Sequence, residues 1–305
     1  MNPPARLTTP IDVMRSFISR PRSRRRRFDT PRGIRLYRFK IDEKPGWGQS
    51  LLATHPKNKY APAQHHSRAP MRYEYIKAFD IPDAWYKALQ RIWTRGDPFY
   101  VGYGSEITET KKLNLTLEIE NPHTRPLIAD KAPCDMKYVT SYALQYLWLG
   151  EKAEGETYTY GGRLREPIDQ VEMAIQRLAE EPRDRQVTML IRRPEDLQKE
   201  LAGMKHEPPC LTILDLEIHG GKLHTTGYFR SWDGYAGLPA NLAGIQIFLE
   251  ALVAEVNRRS RQHYATGEMI FHSKNCHIYS RLNKIIEELI SPEEDARRQL
   301  AKKKG

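Results

Sequence analysis

Apolar and polar residues alternate most regularly in two neighbouring runs in the second half of the chain. The first covers Leu211 to Ile218 and the second covers Lys222 to Phe229, with Gly220-Gly221 between them. Alternation with a period of two, broken by a pair of glycines, predicts two strands joined by a tight turn. Cys210 precedes the first strand and Arg230-Ser231 follows the second, so end-to-end pairing would bring a thiol close to a guanidinium.

Helical spacing of apolar residues marks four other segments. Asp80-Ile81-Pro82-Asp83 is a capping sequence, and Gly96-Asp97-Pro98 is a stop. In the third helix Val171, Ile175 and Leu178 share one face. The predicted helices cover residues 80–93, 136–149, 169–180 and 242–256.

Shorter apolar runs predict three more strands, over residues 113–119, 187–191 and 269–277. A loop is expected over residues 158–163 and a charged turn over residues 181–185, while residues 278–289 and a basic tail close the chain. Strands and helices do not alternate strictly as βαβ units. The order therefore predicts an α+β fold with a mixed, largely antiparallel sheet flanked by helices.

The first 70 residues have no sustained period apart from a short strand candidate over residues 33–41. We therefore predict an arm and extension over residues 1–70 and one globular domain over residues 71–305. Residues 1–33 hold nine Arg and two Asp, which gives 9 − 2 = +7 of the net charge of +11, and Arg24 to Arg27 are consecutive. Nucleic-acid binding and a solvated tail both fit such a charge cluster.

Composition narrows the class of protein. Hydrophobic residues make up 39% and aromatic residues 10% of the chain, as in soluble globular proteins. A run of about 18 apolar residues and the apolar segment of a signal peptide are both missing, which predicts a cytoplasmic protein without a membrane span. Cys134, Cys210 and Cys276 are too few and too scattered for a disulfide framework or a zinc site.

The segment after the hairpin carries the most specific motif. Arg230-Ser231-x-Asp233-x-x-x-Gly237-Leu238-Pro239-x-Asn241 resembles the nucleotide-binding signature of the thymidylate synthase family. Four more segments match that family in the same order along the chain. They are the tyrosine loop Tyr160-Gly161, the phosphate turn Asp184-Arg185, the nucleophile motif Pro209-Cys210 and the ribose-binding His277-Ile278-Tyr279.

The resemblance covers about residues 75–285 and is greatest to the divergent archaeal-type branch of the family. That branch is indicated by Gly104-Ser105-Glu106, Thr110-Lys111, Glu120-Asn121-Pro122, Tyr158 to Gly161 and Cys210-Leu211. It implies the thymidylate synthase fold over residues 71–305 and a homodimer whose interface is the sheet.

The resemblance also implies the chemistry. C5 of a pyrimidine is a poor nucleophile, so the Cys210 thiolate adds to C6 and makes C5 enolate-like. C5 then takes a one-carbon unit from 5,10-methylenetetrahydrofolate or a related pterin, and no metal takes part. Hydride uptake gives a methyl product, as in the conversion of dUMP to dTMP, whereas water gives a hydroxymethyl product from dUMP, dCMP or CMP.

Each polar group of the matched motifs receives a role from the resemblance. Tyr160 would relay a proton, while Asp233 and Gly237 would contact the folate, Asp233 also helping to position Cys210. Asn241 would bind the base and favours a uridylate, since the cytosine-specific members tend to carry Asp there. The other implied substrate ligands are Arg230 and Ser231 for the phosphate, Arg185 for the phosphate of the neighbouring subunit, and His277 and Tyr279 for the sugar.

Several positions depart from the family pattern. Gln186 replaces a second phosphate arginine, and the family's catalytic glutamate has no counterpart in residues 138–149, where Glu151 is the nearest acid. Lys111 and Lys112 are candidate substitutes for a missing phosphate arginine. The short segment 151–157 and the basic C-terminal end lack the residues that close over the folate. Less complete closure would admit water, which keeps a hydroxymethylase open, and the missing glutamate keeps open a non-catalytic relative that binds nucleotide or RNA.

Overall fold

The computed structural model describes residues 71–103, 106–202, 208–292 and 296. The predicted arm over residues 1–70, with Arg24–Arg27 and the strand candidate, lies outside these residues. So do Gly104-Ser105 and the end of the basic tail, residues 297–305.

Eight strands form one mixed sheet. They are β1 (Tyr73–Ala78), β2 (Asp97–Tyr103), β3 (Glu106–Ile119), β4 (Thr188–Leu190), β5 (Leu211–His219), β6 (Lys222–Phe229), β7 (Trp232–Asp233) and β8 (Ala265–Tyr279). The strand order is β1-β3-β8-β6-β5-β4, with β2 paired to β3 and β7 paired to β8. Pairs β1–β3, β6–β8 and β7–β8 are parallel, and the other four are antiparallel. The predicted α+β class with a mixed, largely antiparallel sheet is confirmed.

Helices flank this sheet. In the part of the chain that the structure describes, the α-helices are α1 (Ile81–Arg95), α2 (Met136–Ser141), α3 (Tyr160–Arg165), α4 (Gln170–Glu180), α5 (Pro194–Leu201), α6 (Gly237–Ser260) and α7 (Asn283–Leu289). A π-helix, Tyr142–Leu149, continues α2, and a 3₁₀ turn, Ser280–Leu282, precedes α7.

The start of α1 follows the predicted capping sequence. The Asp80 carboxylate accepts a hydrogen bond from the Asp83 backbone N–H at 2.8 Å, and Pro82 fits the first turn because that turn needs no backbone donor. Leu89 and Ile92 are among the helix residues that are fully buried. The indole N–H of Trp85, in the same helix, donates a hydrogen bond to the Tyr235 carbonyl at 3.0 Å. This bond links α1 to the loop after β7.

Helix α6 is the central helix of the core. Among the described helices it alone is long and apolar enough to cross a membrane by length and composition, yet 78% of that stretch is buried inside the fold. Residues on all its sides, including Leu242, Phe248 and Leu252, are buried. A helix that is apolar all round belongs in a core, and α6 holds the end of the sequence motif against the sheet.

The hairpin has the predicted register. Leu211 pairs with Phe229 and His219 pairs with Lys222. Gly220 and Gly221 have φ of 57° and 77°, a left-handed conformation that glycine adopts without steric cost. The Arg230 backbone N–H donates to the Cys210 carbonyl at 2.9 Å, so the two ends meet as expected.

One face of the sheet carries a row of partly exposed residues, which we call the outer sheet row. Its members are cross-strand neighbours on β1, β3, β8, β6, β5 and β4, in the order of the sheet. They are Tyr75, Thr116, His272, Tyr228, Ile213 and Leu190. His272 stacks on Tyr228 with ring centroids 5.5 Å apart and lies 2.9 Å from the Thr116 hydroxyl. Tyr75 and Leu190, at the two ends, are 50% and 54% exposed. Such a wide and partly apolar surface is typical of an interaction face.

Three of the differences between the predicted and the observed elements bear on the site. The loop over residues 158–163 is wrong, because Thr159 caps α3 by accepting from the Gly162 backbone N–H at 3.0 Å. Helix α6 begins five residues before Leu242, since Pro239 is tolerated in a first turn. The helix over residues 136–149 changes from α to π geometry at Tyr142.

Candidate active site

Cys210 lies at the start of β5, half-buried against the core. The half-buried Arg230 guanidinium donates to the Pro209 carbonyl at 3.0 Å and to the Pro208 carbonyl at 2.6 Å. A cation is therefore fixed beside the backbone that carries the thiol. Arg230 supports the nucleophile loop in addition to the phosphate role that the motif predicts for it.

Tyr160 places a hydroxyl next to the same backbone. Its oxygen accepts a hydrogen bond from the Leu211 backbone N–H at 3.3 Å, and its ring is 5% exposed. Burial and then the nearby Cys210 raise the pKa of Tyr160 far above its ordinary value of 10.0. The hydroxyl therefore stays protonated at neutral pH, so it suits the transfer of a proton better than permanent service as a base.

Four tyrosine rings follow one another towards this point, and we call them the tyrosine row: Tyr138, Tyr142, Tyr146 and Tyr160. The first two pairs stack, with centroid separations of 6.4 and 5.2 Å, and the last pair meets edge to face at 5.1 Å. The row lines a cleft of about 560 Å³. An aromatic wall of this kind suits a flat heterocyclic ligand.

The π-helix and two glycines set the position of the row. Tyr142 and Tyr146 belong to the π-helix, a geometry that is frequent at functional sites. The chain after it turns at Gly150 and packs directly on Gly161, the residue after Tyr160. A Cβ at Gly161 would lie 2.4 Å from the Leu147 carbonyl oxygen. Only a glycine allows this contact, which holds α3 and its tyrosine against the π-helix.

Asn241 faces the same cleft from inside α6. Its Oδ1 accepts from the Trp232 indole N–H at 3.1 Å, and its Nδ2 donates to the Tyr142 hydroxyl at 2.9 Å. Asn241 is thus an interior residue of α6. Each half of the amide keeps capacity for one more hydrogen bond, so the side chain can still bind a ligand edge.

Asp233 begins the turn that leads into α6. Its Oδ1 accepts from the backbone N–H groups of Tyr235 and Ala236, at 2.9 and 3.2 Å. Its other oxygen accepts no hydrogen bond from the described residues. Gly237 packs close by, since a Cβ there would lie 3.3 Å from the Asp233 Cβ. Asp233 therefore shapes the loop and keeps one carboxylate oxygen for another partner.

His277 and Tyr279 lie on β8 beside this turn. Asp233 pairs with His277, the two side chains of the predicted sugar pair meet edge to face at 5.1 Å, and His277 is 6% exposed. Burial lowers the pKa of His277 below 6.5, against the opposing effects of the Asn275 carbonyl and Asp233. The imidazole is therefore neutral at pH 7 and can both donate and accept.

Arg185 is exposed in the turn before β4, and the contacts described above do not include it. Its turn is held by Arg177, which donates to the Asp184 carboxylate at 2.5 Å and to the Gln186 side chain at 3.1 Å. Gln186 thus helps to hold the turn where the family has a second arginine. Arg185 is exposed just before β4, at the edge of the sheet, and does not line the cleft of its own chain.

The other departures can also be located. The Lys111 ammonium donates to the Trp93 carbonyl at 3.1 Å and covers the Trp93 ring, and Lys112 covers the Phe99 ring. Neither lysine is aimed at the cleft. Glu151, the nearest acid to the missing glutamate, does line it, so a carboxylate is available there from the segment after the π-helix.

Cys276 and Cys134 behave as structural residues. None of the three cysteines forms a disulfide. Burial raises the pKa of Cys276 far above its ordinary value, and burial with Asp135 nearby raises that of Cys134. Within the described ranges, His, Cys, Asp and Glu side chains do not form a group of three that could hold a metal ion.

Two site residues escaped the sequence analysis, namely Trp232 and Tyr142. Trp232 occupies a variable position of the matched signature, and Tyr142 is one of several aromatic residues in an apolar run. The repetition of tyrosine at 138, 142 and 146 was the available signal, because residues four apart share one face of a helix.

The chain is similar to known proteins over most of the described part. A sequence profile described as "Thymidylate synthase" matches residues 135–304. Archaeal relatives with the name "Putative thymidylate synthase" are 34% identical in Methanosarcina acetivorans, 33% in Methanosarcina mazei and 34% in Methanococcoides burtonii. Each match covers 70% of this chain and 94% of the relative. The chain therefore belongs to the thymidylate synthase family of methyltransferases and hydroxymethyltransferases.

Proposed function

We propose that this enzyme transfers a one-carbon unit to C5 of dUMP and releases dTMP. One observation carries the proposal: the Tyr160 hydroxyl is held beside the Cys210 backbone in the cleft that Asn241 also faces. The thiolate of Cys210 forms a bond to C6, and the electrons of the C5–C6 double bond move towards O4 and make C5 nucleophilic. Once C5 carries the one-carbon unit, Tyr160 relays the C5 proton to solvent. The Cys210–C6 bond then breaks, the thiolate leaves and the C5–C6 double bond re-forms in the product.

The substrate ligands are proposed from the same surroundings. Asn241 binds the pyrimidine edge, and His277 with Tyr279 binds the sugar hydroxyl. Ser231 makes no hydrogen bond to a described residue, so its hydroxyl is available for a phosphate oxygen. Arg230 has one guanidinium nitrogen, Nη1, beyond the two that hold the nucleophile loop, and this nitrogen can share the phosphate.

Arg185 completes the site from a second subunit. Two features support this: Arg185 is exposed at the sheet edge, and the outer sheet row is a broad, partly apolar face. A homodimer formed on that face would be two-fold symmetric, so each Arg185 would serve the site of its partner. Such a dimer would bury the exposed side chains of Tyr75 and Leu190.

The co-substrate in this proposal is 5,10-methylenetetrahydrofolate, which supplies the one-carbon unit and, for a methyl product, a hydride. The cleft fits a pterin, because its aromatic wall and volume suit a flat heterocycle. The second oxygen of Asp233 can accept a hydrogen bond from a pterin N–H. Gly237 has no side chain and so leaves room for the ligand beside Asp233. Glu151 is proposed to support proton transfer in place of the missing glutamate.

Hydroxymethylation is the second candidate outcome. Glu151, Lys152 and Glu156 line the outer part of the cleft, and such polar side chains keep water close to the reacting carbon. If water reaches the exocyclic methylene before the hydride, the product carries a hydroxymethyl group.

A product assay tests both candidates. The enzyme is incubated with methylenetetrahydrofolate and dUMP, dCMP, UMP or CMP, and the product mass is measured. We expect a methyl increment on dUMP, whereas a hydroxymethyl increment would select the second candidate. A Cys210→Ala variant should give no product, and a Cys134→Ala variant should remain active. Absence of product from all four nucleotides would contradict the enzymatic proposal and favour a non-catalytic binding role.

We propose that the enzyme acts in the cytoplasm, a compartment that fits methylenetetrahydrofolate and a pyrimidine nucleotide as substrates.

A further inference from the structure

The Trp232 side chain, one of the two hydrogen-bond partners of the Asn241 amide, is packed inside the core. It is 2% exposed and stacks flat on Phe229, with centroids 4.1 Å apart and an interplanar angle of 3°. Phe271 packs against it on another side, at a centroid separation of 6.0 Å. In a close-packed core such a ring cannot turn without displacing its neighbours, so the direction of the indole N–H is fixed.

The indole N–H imposes an orientation on the Asn241 amide. An indole nitrogen can only donate, so the atom that faces it at 3.1 Å must be the carbonyl oxygen, Oδ1. The amide nitrogen then faces Tyr142 at 2.9 Å. The reverse orientation would bring two donors together beside Trp232 and leave both without a partner in a buried place, which is costly.

This orientation matches only one of the two pyrimidine edges. A ligand meets the second hydrogen of Nδ2 and the second lone pair of Oδ1, a donor beside an acceptor. Uracil offers an acceptor at O4 and a donor at N3, which is the complementary pair. Cytosine offers a donor at N4 and an acceptor at N3, so it would need the amide to be reversed.

We propose that Trp232 is a specificity-determining residue that selects uracil over cytosine by fixing the Asn241 amide. This inference rests on the proposed function, because it assumes that Asn241 binds the base of a pyrimidine nucleotide. Trp232 itself is a positioning residue, since it acts on the substrate through Asn241.

Tyr142 has a different part in the same contact. A hydroxyl can donate or accept, so it can satisfy either orientation of the amide. Tyr142 therefore holds Asn241 in place without choosing which end faces the base. Its packing is also tight, because a Cβ at Gly244 would lie 2.4 Å from the Tyr142 ring. The two partners of Asn241 should thus differ in what their loss changes.

The test compares Trp232→Phe, Tyr142→Phe and Tyr264→Phe with the wild type. Calorimetry gives the dissociation constants of dUMP and dCMP, and initial rates give kcat/KM for each. Loss of the indole donor should reduce the dUMP over dCMP preference by about tenfold or more, the factor that corresponds to one hydrogen bond to a buried group. Tyr142→Phe should weaken both nucleotides and keep the preference within about threefold, since its hydroxyl accepts either orientation. Tyr264→Phe should change neither, because Tyr264 lies just before β8, next to the hairpin turn, and does not line the cleft.

Replacement of Trp232 by 3-benzothienylalanine guards against misfolding of Trp232→Phe. This side chain keeps the size of the indole and replaces its N–H with sulfur, so the same loss of preference is expected. Thermal unfolding and circular dichroism check that each variant is folded.

The outcomes separate the two levels of the proposal. If the wild type binds neither nucleotide, the proposed function fails and the inference fails with it. If the wild type binds both nucleotides equally, or if the folded donor-free variants keep the full preference, Trp232 does not select the base and the inference is overturned, while the proposed function stands.

Discussion

The proton relay proposed for Tyr160 depends on its hydroxyl group alone. Its hydroxyl oxygen lies 3.3 Å from the Leu211 nitrogen, whereas its ring is packed by Tyr146 and Tyr158. Tyr160→Phe keeps the ring and removes the proton relay, so we expect kcat to fall by about 10²- to 10⁴-fold, the usual contribution of a positioned acid or base. The dissociation constant of dUMP, measured by calorimetry, should change little. Unchanged kcat would exclude Tyr160 from proton transfer, and Tyr264→Phe, outside the cleft, is the matched control.

His277 predicts a dependence of stability on pH. Burial lowers its pKa below 6.5 in the folded protein, so the unfolded chain binds the proton more readily. Its contribution to stability is therefore complete above pH 6.5 and is lost as the pH falls from there towards the folded-state pKa. We expect His277→Gln to lose less stability than the wild type between about pH 7.5 and pH 5.5 in urea titrations. An equal loss in both proteins would contradict this, and the exposed His263→Gln is the control.

The sequence predicted more of the site's residues than of their contacts. Cys210, Arg230 and Asn241 could be located because each lies in a matched motif. The orientation of the Asn241 amide could not, because it depends on Trp232 and on Tyr142, a residue far away along the chain. A linear motif records residue types, while donor and acceptor pairing depends on which side chains the fold brings together.

At the scale of elements, the contact between the π-helix and α3 carries a prediction. A methyl group at Gly161 would meet the Leu147 carbonyl oxygen at 2.4 Å and the Gly150 nitrogen at 2.8 Å. Both atoms are backbone and cannot move aside alone, so Gly161→Ala should lower the free energy of unfolding by about 1–3 kcal/mol. Because Tyr160 is the adjacent residue, activity should fall as well, and urea unfolding together with initial rates measures both.

Gly220→Ala serves as the control for that substitution. Gly220 has open space around it but a positive φ, so the cost is limited to about 1–2 kcal/mol of backbone strain. It lies in the hairpin turn, away from the cleft, and activity should remain at the wild-type level. Full activity and stability in Gly161→Ala would show that neither property needs the close packing of α3 on the π-helix.

The elements that the sequence missed have physical reasons. In β1 two of the three outward positions are aromatic, Tyr73 and Tyr75, and one of the inward positions is the acidic Glu74, so the alternation of polar and apolar residues is hidden. β2 contains Asp97-Pro98, which resembles only a helix stop, although proline is acceptable at the start of an edge strand. The change from α to π geometry at Tyr142 leaves no periodic signal in eight mostly apolar residues. The hairpin and α1 were predictable because their signals, a glycine pair and a cap, are local.

At the scale of the whole molecule, the proposed dimer can be tested by mixing two inactive variants. Arg185→Ala lacks the phosphate ligand and Cys210→Ala lacks the nucleophile. If Arg185 serves the partner's site, a mixed dimer contains one intact site and one doubly defective site. Random reassociation should then restore about a quarter of the wild-type sites, since half of the dimers are mixed. Unmixed variants are the controls, and rates are measured after joint refolding.

Failure of the mixture to regain activity, with both variants shown to be dimeric, would place Arg185 in the site of its own chain.

The sequence predicted the class of the fold but not the parallel pairing of β6 with β8. That pairing joins strands on either side of α6, and contacts of this range are set by packing.

Strand β8 lies between β3 and β6 and is the last strand in the described part of the chain. It pairs with one neighbour on each side along most of its 15 residues. The hairpin and strands β1 to β3 can therefore become one sheet only after residues 265–279 have left the ribosome. Contacts over such long separations form slowly, and until they form the edges of β3 and β6 are exposed to other chains. We therefore expect this protein to depend on chaperones during its synthesis, until β8 covers these two strand edges.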